Sequence, residues 1–122
     1  MAYLIDLKTF ADIRGNLTVI EDKEIPFSIK RVFYIYGVDD SVRGRHRHKK
    51  TIQALYCLKG SCEVYNNDGE KEETFILDKP NKCLVLMPED WHKMYNFTQD
   101  CILQVLASEY FDLNDYIFEE YS

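Results

Sequence analysis

With 122 residues, 46% of them hydrophobic, the chain can form one domain with a substantial core, predicted to span residues 1–122. Its net charge of −6 argues against nucleic acid as a partner, because nucleic-acid binding draws on many lysine and arginine contacts to phosphate. No segment is apolar over the roughly twenty residues that a membrane span requires, and the N-terminal residues lack the long apolar run of a secretory signal. We therefore expect a cytoplasmic protein with no membrane or nucleic-acid partner.

Short β-branched and aromatic runs separated by turns follow one another along the chain and predict an all-β domain. Between two such runs, Asn67-Asp68-Gly69 is a hairpin signal, because glycine accepts a positive φ. Near the C-terminus, Asp112-Leu-Asn-Asp can open a short helix. About eight or nine short strands with regular turns predict a sandwich or a barrel-like jelly roll. The expected strands cover residues 3–7, 15–21, 29–36, 45–58, 61–66, 70–77, 82–87, 93–97 and 101–107.

The most distinctive segment is Arg43-Gly-Arg-His-Arg-His-Lys-Lys50, which contains two of the three histidines of the chain. Side chains in a strand repeat every second residue, so His46 and His48 would share one face roughly 7 Å apart while Arg45 turns to the other face. The segment is a local positive field on an acidic protein, and it predicts a small anionic ligand.

The four cysteines show neither paired CxxC spacing nor the density of a disulfide scaffold. Cys57, Cys83 and Cys101 lie in apolar runs, where a cysteine usually behaves as a small buried hydrophobe. We expect all four to be reduced and structural. A catalytic cysteine is the alternative, although no histidine lies near any of them in the sequence.

Two motifs resemble those of the cupin superfamily: His46-x-His48-x4-Gln53-x6-Gly60 and Pro88-x-Asp90-Trp91-His92-x3-Asn96. The resemblance implies the cupin double-stranded β-helix, which is a jelly roll. A narrower set of motifs resembles the sugar 3,4-ketoisomerases that act on dTDP-4-keto-6-deoxyglucose, the FdtA and WxcM-like group. These motifs extend over nearly the whole chain and are Arg31-Val-Phe-Tyr-Ile-Tyr-Gly, Arg43-Gly-Arg-His-Arg-His-Lys, Gly60-Ser-Cys-Glu-Val, Pro88-x-x-Trp-His-Lys-Met-Tyr and Tyr110-x4-Asp115-Tyr-Ile.

The resemblance implies a cofactor-free and metal-free isomerase that moves the carbonyl of a dTDP-linked keto sugar from C4 to C3 through an enediol. His48 is the expected base at carbon and His46 the partner that moves protons between the sugar oxygens, with the reverse assignment left open. Histidine suits both roles because its unperturbed pKa is about 6.5. Tyr34 is expected to orient an imidazole or to bond the sugar oxygens.

The expected substrate-binding residues follow from charge and from the same resemblance. Arg43 and Arg45 suit the pyrophosphate, since guanidinium groups match phosphate oxygens in geometry and charge, although strand alternation would turn Arg45 outward. Arg14 and Gly15, in an early turn, are expected near the sugar, where they would influence the face of C4 that is protonated, with the galacto product favoured. The set is completed by Gln53, by His92 and by Trp91, which would stack on thymine or belong to the core.

Two other functions compete with isomerisation. A metal-dependent cupin would use His46, His48 and His92 as ligands and Gln53 as a neutral fourth. A sugar-nucleotide binding module would keep the barrel without the reaction. In all cases we expect a homodimer, because the apolar strand over residues 3–7 could add to the sheet of a neighbour.

Overall fold

The computed structural model describes residues 1–122 and contains twelve strands, with one short 3-10 helix at Leu113–Asp115. No helix in it has the length and apolar character needed to cross a membrane. The strands are β1 (Tyr3–Asp6), β2 (Thr9–Asp12), β3 (Gly15–Thr18), β4 (Arg31–Tyr36), β5 (Arg43–His48), β6 (Gln53–Lys59), β7 (Cys62–Asn67), β8 (Glu72–Leu77), β9 (Lys82–Leu86), β10 (Trp91–Tyr95), β11 (Ile102–Ala107) and β12 (Tyr116–Ile117).

Ten of the strands form two five-stranded antiparallel sheets, with the orders β1-β9-β6-β11-β4 and β12-β5-β10-β7-β8. The main core lies between them, because Leu55, Leu84 and Leu103 of the first sheet pack in one cluster with Val64 and Met94 of the second. The predicted cupin-type jelly roll is confirmed. The remaining strands, β2 and β3, pair only with each other and form a separate hairpin.

Strand β6 is buried on both faces from Gln53 to Cys57, which accounts for the apolar run Ala54-Leu-Tyr-Cys57. Leu55 and Cys57 point into the main core, whereas Ala54 and Tyr56 belong to a second cluster on the other side of the sheet. That second cluster is completed by Leu7, Ile25, Cys83 and Leu106, with Ile5, Ile20 and Phe27 packed against it. The cavity described below is thus enclosed by a sheet whose central strand is buried on both faces from Gln53 to Cys57.

Several predicted elements are confirmed and others differ. The hairpin at Asn67–Gly69 joins β7 to β8, and Gly69 has a φ of +96°. The short helix begins after Asp112, whose side chain accepts a hydrogen bond from the Asn114 N–H at 3.0 Å. The predicted strand over residues 45–58 is two strands, β5 and β6, which belong to different sheets and are separated by the crossing at residues 49–52. Strands β2 and β12 were not predicted.

Candidate active site

A cavity of about 200 Å³ opens between the two sheets. Strands β4, β5, β6, β10, β11 and β12 each contribute at least one side chain to its wall. One half of the residues in the wall are apolar, and most of the others are polar or charged. The polar and aromatic-polar residues are Arg31, Arg43, His46, Gln53, His92 and Tyr116.

The three histidines lie together, although His92 is distant from the other two in sequence: His46 and His92 line this cavity, and His48 lies directly behind His46 and Tyr116. Antiparallel pairing of β5 with β10 places His92 directly opposite His46, and their ring centroids are 4.9 Å apart. The rings of His46 and His48 are 5.1 Å apart, and Tyr116 lies 4.7 Å from each of these two rings. The expectation that His46 and His48 share one face is therefore met by the geometry.

His48 is held by a carboxylate from the C-terminal segment. Its Nδ1 lies 3.0 Å from Oδ2 of Asp115, and both side chains are buried. Asp115 also accepts hydrogen bonds from the Lys50 N–H, at 2.8 Å, and from the Thr51 hydroxyl. Although burial opposes it, these bonds hold the pKa of Asp115 below its usual value, so Asp115 remains a carboxylate and can only accept.

An ionised Asp115 fixes the tautomer of His48, because Nδ1 must carry the hydrogen that the carboxylate accepts. The opposite nitrogen, Nε2, is then unprotonated, and it is buried with no hydrogen-bond partner in the chain. Burial lowers the pKa of His48, against the opposing effect of Asp115, and the nearby charge of Arg31 lowers it further. At neutral pH, His48 therefore offers a bare Nε2 lone pair, which is what a general base needs.

The other two histidines are also neutral at physiological pH. Burial lowers the pKa of His46 to about 4 and that of His92 to about 3, and proximity to another imidazole contributes in both cases. The Nδ1 of His92 donates to the backbone carbonyl oxygen of Asp90 at 3.0 Å, which leaves its Nε2 as an acceptor. The cavity thus contains imidazoles that can take up protons, set beside the positive charges of its arginines.

A β-bulge decides which arginine faces the cavity. His46 lies opposite His92, but Gly44 lies opposite the next residue, Lys93, so Arg45 is an extra residue in β5. Gly44 and Arg45 both have positive φ values, of 89° and 63°. The insertion reverses the side-chain alternation, so Arg43 lines the cavity together with His46, while Arg45 is exposed and lies outside it. The sequence-based expectation that Arg45 turns outward agrees with the structure, but strict alternation would have sent Arg43 outward as well.

Two expected site residues lie on the wrong side of their strands. In β4 the residues that line the cavity are Phe33 and Ile35, so Tyr34 points outward, is 61% exposed and stacks on Tyr36. In β10 it is His92 that faces the cavity, and Trp91 lies on the other face, where its Nε1 donates to the Phe118 carbonyl oxygen at 3.1 Å. Within one chain neither residue can contact a ligand in this cavity, because side chains alternate across a strand.

The structure places the remaining expected residues as follows. Gln53 and His92 line the cavity and are buried. Arg14 and Gly15 lie at the turn of the β2–β3 hairpin, outside the cavity of their own chain. Arg14 is largely exposed, and its Nη2 lies 2.6 Å from the carboxylate of Asp12. Their contact with sugar stays a prediction that only an assembled oligomer could satisfy.

Three residues of the site were not identified from the sequence as functional: Arg31, Asp115 and Tyr116. Each belongs to a motif that carried the family resemblance, Arg31 to the first and the other two to Tyr110-x4-Asp115-Tyr-Ile. The sequence signal for a functional role was therefore a polar or charged residue inside a family motif. The sequence alone did not reveal that the C-terminal segment returns to pair with β5, where Tyr116 lies opposite His48.

The histidines do not fit the metal site considered as an alternative. The donor atoms of His46, His48 and His92 do not all lie within 4.8 Å of one another, as those of three ligands to one ion would. The one group of three potential ligands whose donor atoms all lie within 4.8 Å of one another is in the apolar core and consists of Cys57, Cys62 and Cys101. We therefore derive no step of the reaction through a metal.

In this jelly roll a carboxylate-held imidazole lies beside a cavity lined by two further neutral imidazoles and two arginines, and these are groups that acid–base chemistry on a small anionic molecule needs. Comparison with known proteins gives the family. Residues 2–122 match the family model FdtA, described as WxcM-like, C-terminal. The chain belongs to this FdtA family.

Relatives with known activity or structure cover nearly the whole chain. The TDP-4-oxo-6-deoxy-alpha-D-glucose-3,4-oxoisomerase of Aneurinibacillus thermoaerophilus is 47% identical over 116 residues, which are 93% of this chain and 84% of that protein. A mutant of the 3,4-ketoisomerase QdtA from Thermoanaerobacterium thermosaccharolyticum, solved with TDP-4-keto-6-deoxyglucose, is 45% identical with a TM-score of 0.93, covering 97% of this chain and 87% of its own. A 3,4-ketoisomerase from Helicobacter canadensis is 40% identical with a TM-score of 0.92, covering 97% and 90%.

Proposed function

We infer that this protein is a TDP-4-keto-6-deoxyglucose 3,4-ketoisomerase, an isomerase of deoxysugar biosynthesis. The observation that carries the conclusion is the buried pair of His48 and Asp115 beside a sugar-sized cavity lined by His46 and His92, in a chain 47% identical to a 3,4-oxoisomerase of this substrate. Support for the substrate comes from QdtA, a relative of nearly the same fold that was solved with TDP-4-keto-6-deoxyglucose.

The size and charge of the cavity indicate how such a substrate would lie. At about 200 Å³ it is smaller than the roughly 300–1,000 Å³ of pockets that enclose drug-sized ligands, so it suits the hexose ring and leaves the nucleotide at its mouth. Arg43 is the one exposed arginine of the wall, and we assign it to the pyrophosphate, which a guanidinium group can bond with two parallel N–H groups.

The reaction begins with removal of the hydrogen on C3, which the neighbouring C4 ketone acidifies. We assign this step to Nε2 of His48, because Asp115 holds that imidazole in the tautomer with a free lone pair. The electron pair moves onto O4 and forms an enediolate. When C4 receives a proton and O3 has lost its own, the carbonyl lies at C3 and no net oxidation has taken place.

Protons must also move from O3 to O4 during this exchange. His46 is the candidate for this transfer, because it lines the cavity and its ring lies between those of His48 and His92, 5.1 Å from the first and 4.9 Å from the second. His92 would support it as a neutral acceptor. A cationic His46 beside a cationic His48 is disfavoured, so one of the two imidazoles gives up its proton when the other becomes charged.

The developing negative charge on O4 needs a cation. We assign Arg31 to this role, because it lines the cavity and its positive charge lowers the pKa of His48. In the proposed reaction the enediolate forms next to His48. Its guanidinium carbon lies 4.4 Å from the ring centroid of Phe33 and 5.3 Å from that of Phe111, so two aromatic rings fix its orientation.

The proposed function is tested by incubating the purified chain with TDP-4-keto-6-deoxyglucose in heavy water and following the sugar by NMR. We expect a 3-keto product with deuterium at C4, and its NMR spectrum also gives the C4 configuration. Activity should survive chelation in protein that was purified without a metal-affinity tag. Binding without deuterium incorporation would identify a binding module, and stoichiometric metal whose removal abolishes activity would identify a metal-dependent cupin.

The base is tested separately with His48→Asn. This variant should lose hydrogen exchange on the sugar while its affinity for TDP stays within a few fold of that of the unaltered chain, since the imidazole acts on carbon and not on the nucleotide. Loss of TDP binding instead would assign His48 to ligand anchoring.

We propose that the chain acts as a single-domain protomer of a homodimer in the cytoplasm. The β2–β3 hairpin supports a second copy, because its apolar side chains Phe10, Ile13 and Leu17 are 61%, 102% and 58% exposed. Edge strand β1 also exposes Tyr3 and Leu4, as the predicted addition to a neighbouring sheet requires. The four free, buried cysteines agree with a reducing compartment.

A further inference from the structure

Three of the four cysteines meet in the core, away from the histidines. The Sγ of Cys57 lies 3.7 Å from that of Cys62 and 3.6 Å from that of Cys101, and all three sulfurs lie within 4.8 Å of one another. The three side chains are at most 3% exposed. No role in the proposed reaction involves them, since none lines the catalytic cavity.

The fold brings the three sulfurs together from separate strands. Cys57 is near the end of β6 and Cys62 begins β7, across the turn at residues 60–61. Cys101 immediately precedes β11, the strand that pairs with β6. Leu55, two residues before Cys57 on the same face of β6, lines the catalytic cavity, so this trithiol cluster is the next layer of the same barrel.

The spacing of the sulfurs matches that of ligands to one ion. Three sulfurs held about 2.3 Å from a common centre at tetrahedral angles are about 3.7 Å apart. A zinc ion would need a fourth ligand and would leave a net charge, yet the group contains no histidine or carboxylate and its neighbours in the core are apolar.

The apolar surroundings narrow the ligand class further. The core cluster that contains the three thiols has no charged side chain, and burying a net charge there would be costly. The site therefore suits a ligand that gives a neutral product with three thiols and needs no fourth ligand. Trivalent arsenic meets both conditions, because it takes three sulfurs in a pyramidal arrangement and needs no fourth ligand.

We propose that Cys57, Cys62 and Cys101 form a binding site for a trivalent thiophilic ion, with arsenite as its ligand. Arsenous acid, As(OH)3, condenses with the three thiols to form three As–S bonds and release three molecules of water. Each hydroxide leaves with one thiol proton, so no oxidant or reductant is consumed and no charge is placed in the core. Access requires local opening of the turn at residues 60–61 and of the adjoining end of β6, where Leu58 is 47% exposed.

The test uses the full, reduced chain with sodium arsenite alone, and its readouts are independent of the isomerase reaction. We expect one arsenic per chain by native mass spectrometry, three sulfur neighbours by X-ray absorption spectroscopy, and a higher Tm, since a ligand of the folded state stabilises it. Two sulfur neighbours, or no arsenic retained after buffer exchange, would overturn the proposal.

Variants locate the site. Cys62→Ala and Cys101→Ala keep a small apolar side chain in the core and should each lose the three-sulfur signature. Cys83→Ala is the matched control, because Cys83 is also fully buried but belongs to the second core cluster, and it should keep full stoichiometry. Each variant is checked for folding by its Tm without arsenite, and Cys57→Ala replaces any that fails. Three-sulfur binding that persists without Cys101, or that disappears without Cys83, contradicts the assignment.

Discussion

The hydrogen bond between His48 and Asp115 joins residues 67 positions apart in sequence and sets the chemistry of the site. An imidazole alone could present either nitrogen to the sugar. The carboxylate removes this ambiguity, because it can accept only from a protonated Nδ1. Asp115 thus acts through His48 as a positioning residue, and the Lys50 N–H and the Thr51 hydroxyl hold it in place.

Asp115→Asn tests this role. An amide can donate to Nδ1 and so favours the tautomer whose Nε2 is already protonated, and we expect kcat to fall roughly 100-fold or more while TDP affinity changes little. The pH profile of sugar deuteration should shift as well, which a purely structural change would not produce. Asp112→Asn, the same substitution at the exposed start of the helix, is the control. Equal losses in both variants would contradict the role of Asp115.

Arg31→Met tests the cation assigned to the enediolate. We expect a larger loss in kcat than in TDP affinity, because the charge acts on the transition state and not on the nucleotide. Since Arg31 lowers the pKa of His48, its removal should also move the acidic limb of the pH–rate profile to higher pH. Lys30→Met removes the same charge one residue away and outside the cavity. An unchanged kcat in Arg31→Met, or an equal loss in Lys30→Met, would rule out this assignment.

Among the structural elements, strand β5 depends on its bulge. The extra residue bends the strand and lets Arg43 and His46 face the same cavity, whereas regular alternation would place them on opposite faces. The bulge needs glycine at its first position, because Gly44 has a φ of +89° and passes close to β10.

Gly44→Ala should destabilise the protein by about 1–3 kcal/mol and lower its activity, because of the strained backbone and because the added Cβ would lie 3.1 Å from the His92 carbonyl oxygen and 3.2 Å from the Met94 Sδ. Gly37→Ala is a matched control with a φ of +68° and no atom within 4 Å of the added Cβ. Urea unfolding measures both. A loss no greater in Gly44→Ala than in Gly37→Ala would mean that the close approach to β10 contributes nothing.

The β2–β3 hairpin is the element that most clearly needs a partner, since it packs in neither sheet and exposes apolar side chains. Phe10→Asp should therefore shift the protein toward monomer, measured by analytical ultracentrifugation over a range of concentrations. Ile76→Asp, at an apolar position of β8 that is 51% exposed, is the comparison. A dimer that is equally stable in both variants, or a monomeric unaltered chain, would contradict the proposed interface.

For the whole molecule, the buried histidines make stability depend on pH. Their pKa values in the folded state are lowered, to about 4 for His46 and about 3 for His92, against about 6.5 in an unfolded chain. At pH values between the folded and the unfolded pKa of each histidine, the unfolded chain binds more protons than the folded chain. These groups therefore leave the free energy of unfolding unchanged above pH 6.5 and lower it as the pH falls below 6.5. The loss is roughly 1.4 kcal/mol per pH unit for each group within its interval.

Denaturant unfolding between pH 7 and pH 4 measures this loss, and His46→Gln should show a shallower decrease than the unaltered chain. The imidazole of His46 is the appropriate one to remove, because it is less buried than His92 and lines an open cavity. Stability that stays constant down to pH 4, or a decrease of the same slope in the variant, would show that these histidines titrate normally in the folded protein.

The sequence by itself determined the all-β class, most strands, the Asn67–Gly69 hairpin and the strand that carries His46 and His48. These features depend on local periodicity and turn chemistry, which act within a few residues. Separated motifs were also enough to give the family, because their order along the chain is itself informative.

Only the tertiary structure decided how the site is completed. Local alternation holds until a bulge interrupts it, so alternation alone could not place Arg43, the residue expected at the pyrophosphate, on the cavity side of β5. Which residues of β4 and β10 face the cavity depends on which face of each strand meets the core, and this leaves Tyr34 exposed and Trp91 buried on the far side of its strand. The carboxylate on His48 required the C-terminal segment to return to β5. That pairing is a long-range contact, and its geometry depends on how the two sheets close around the core and not on any residue near the histidines.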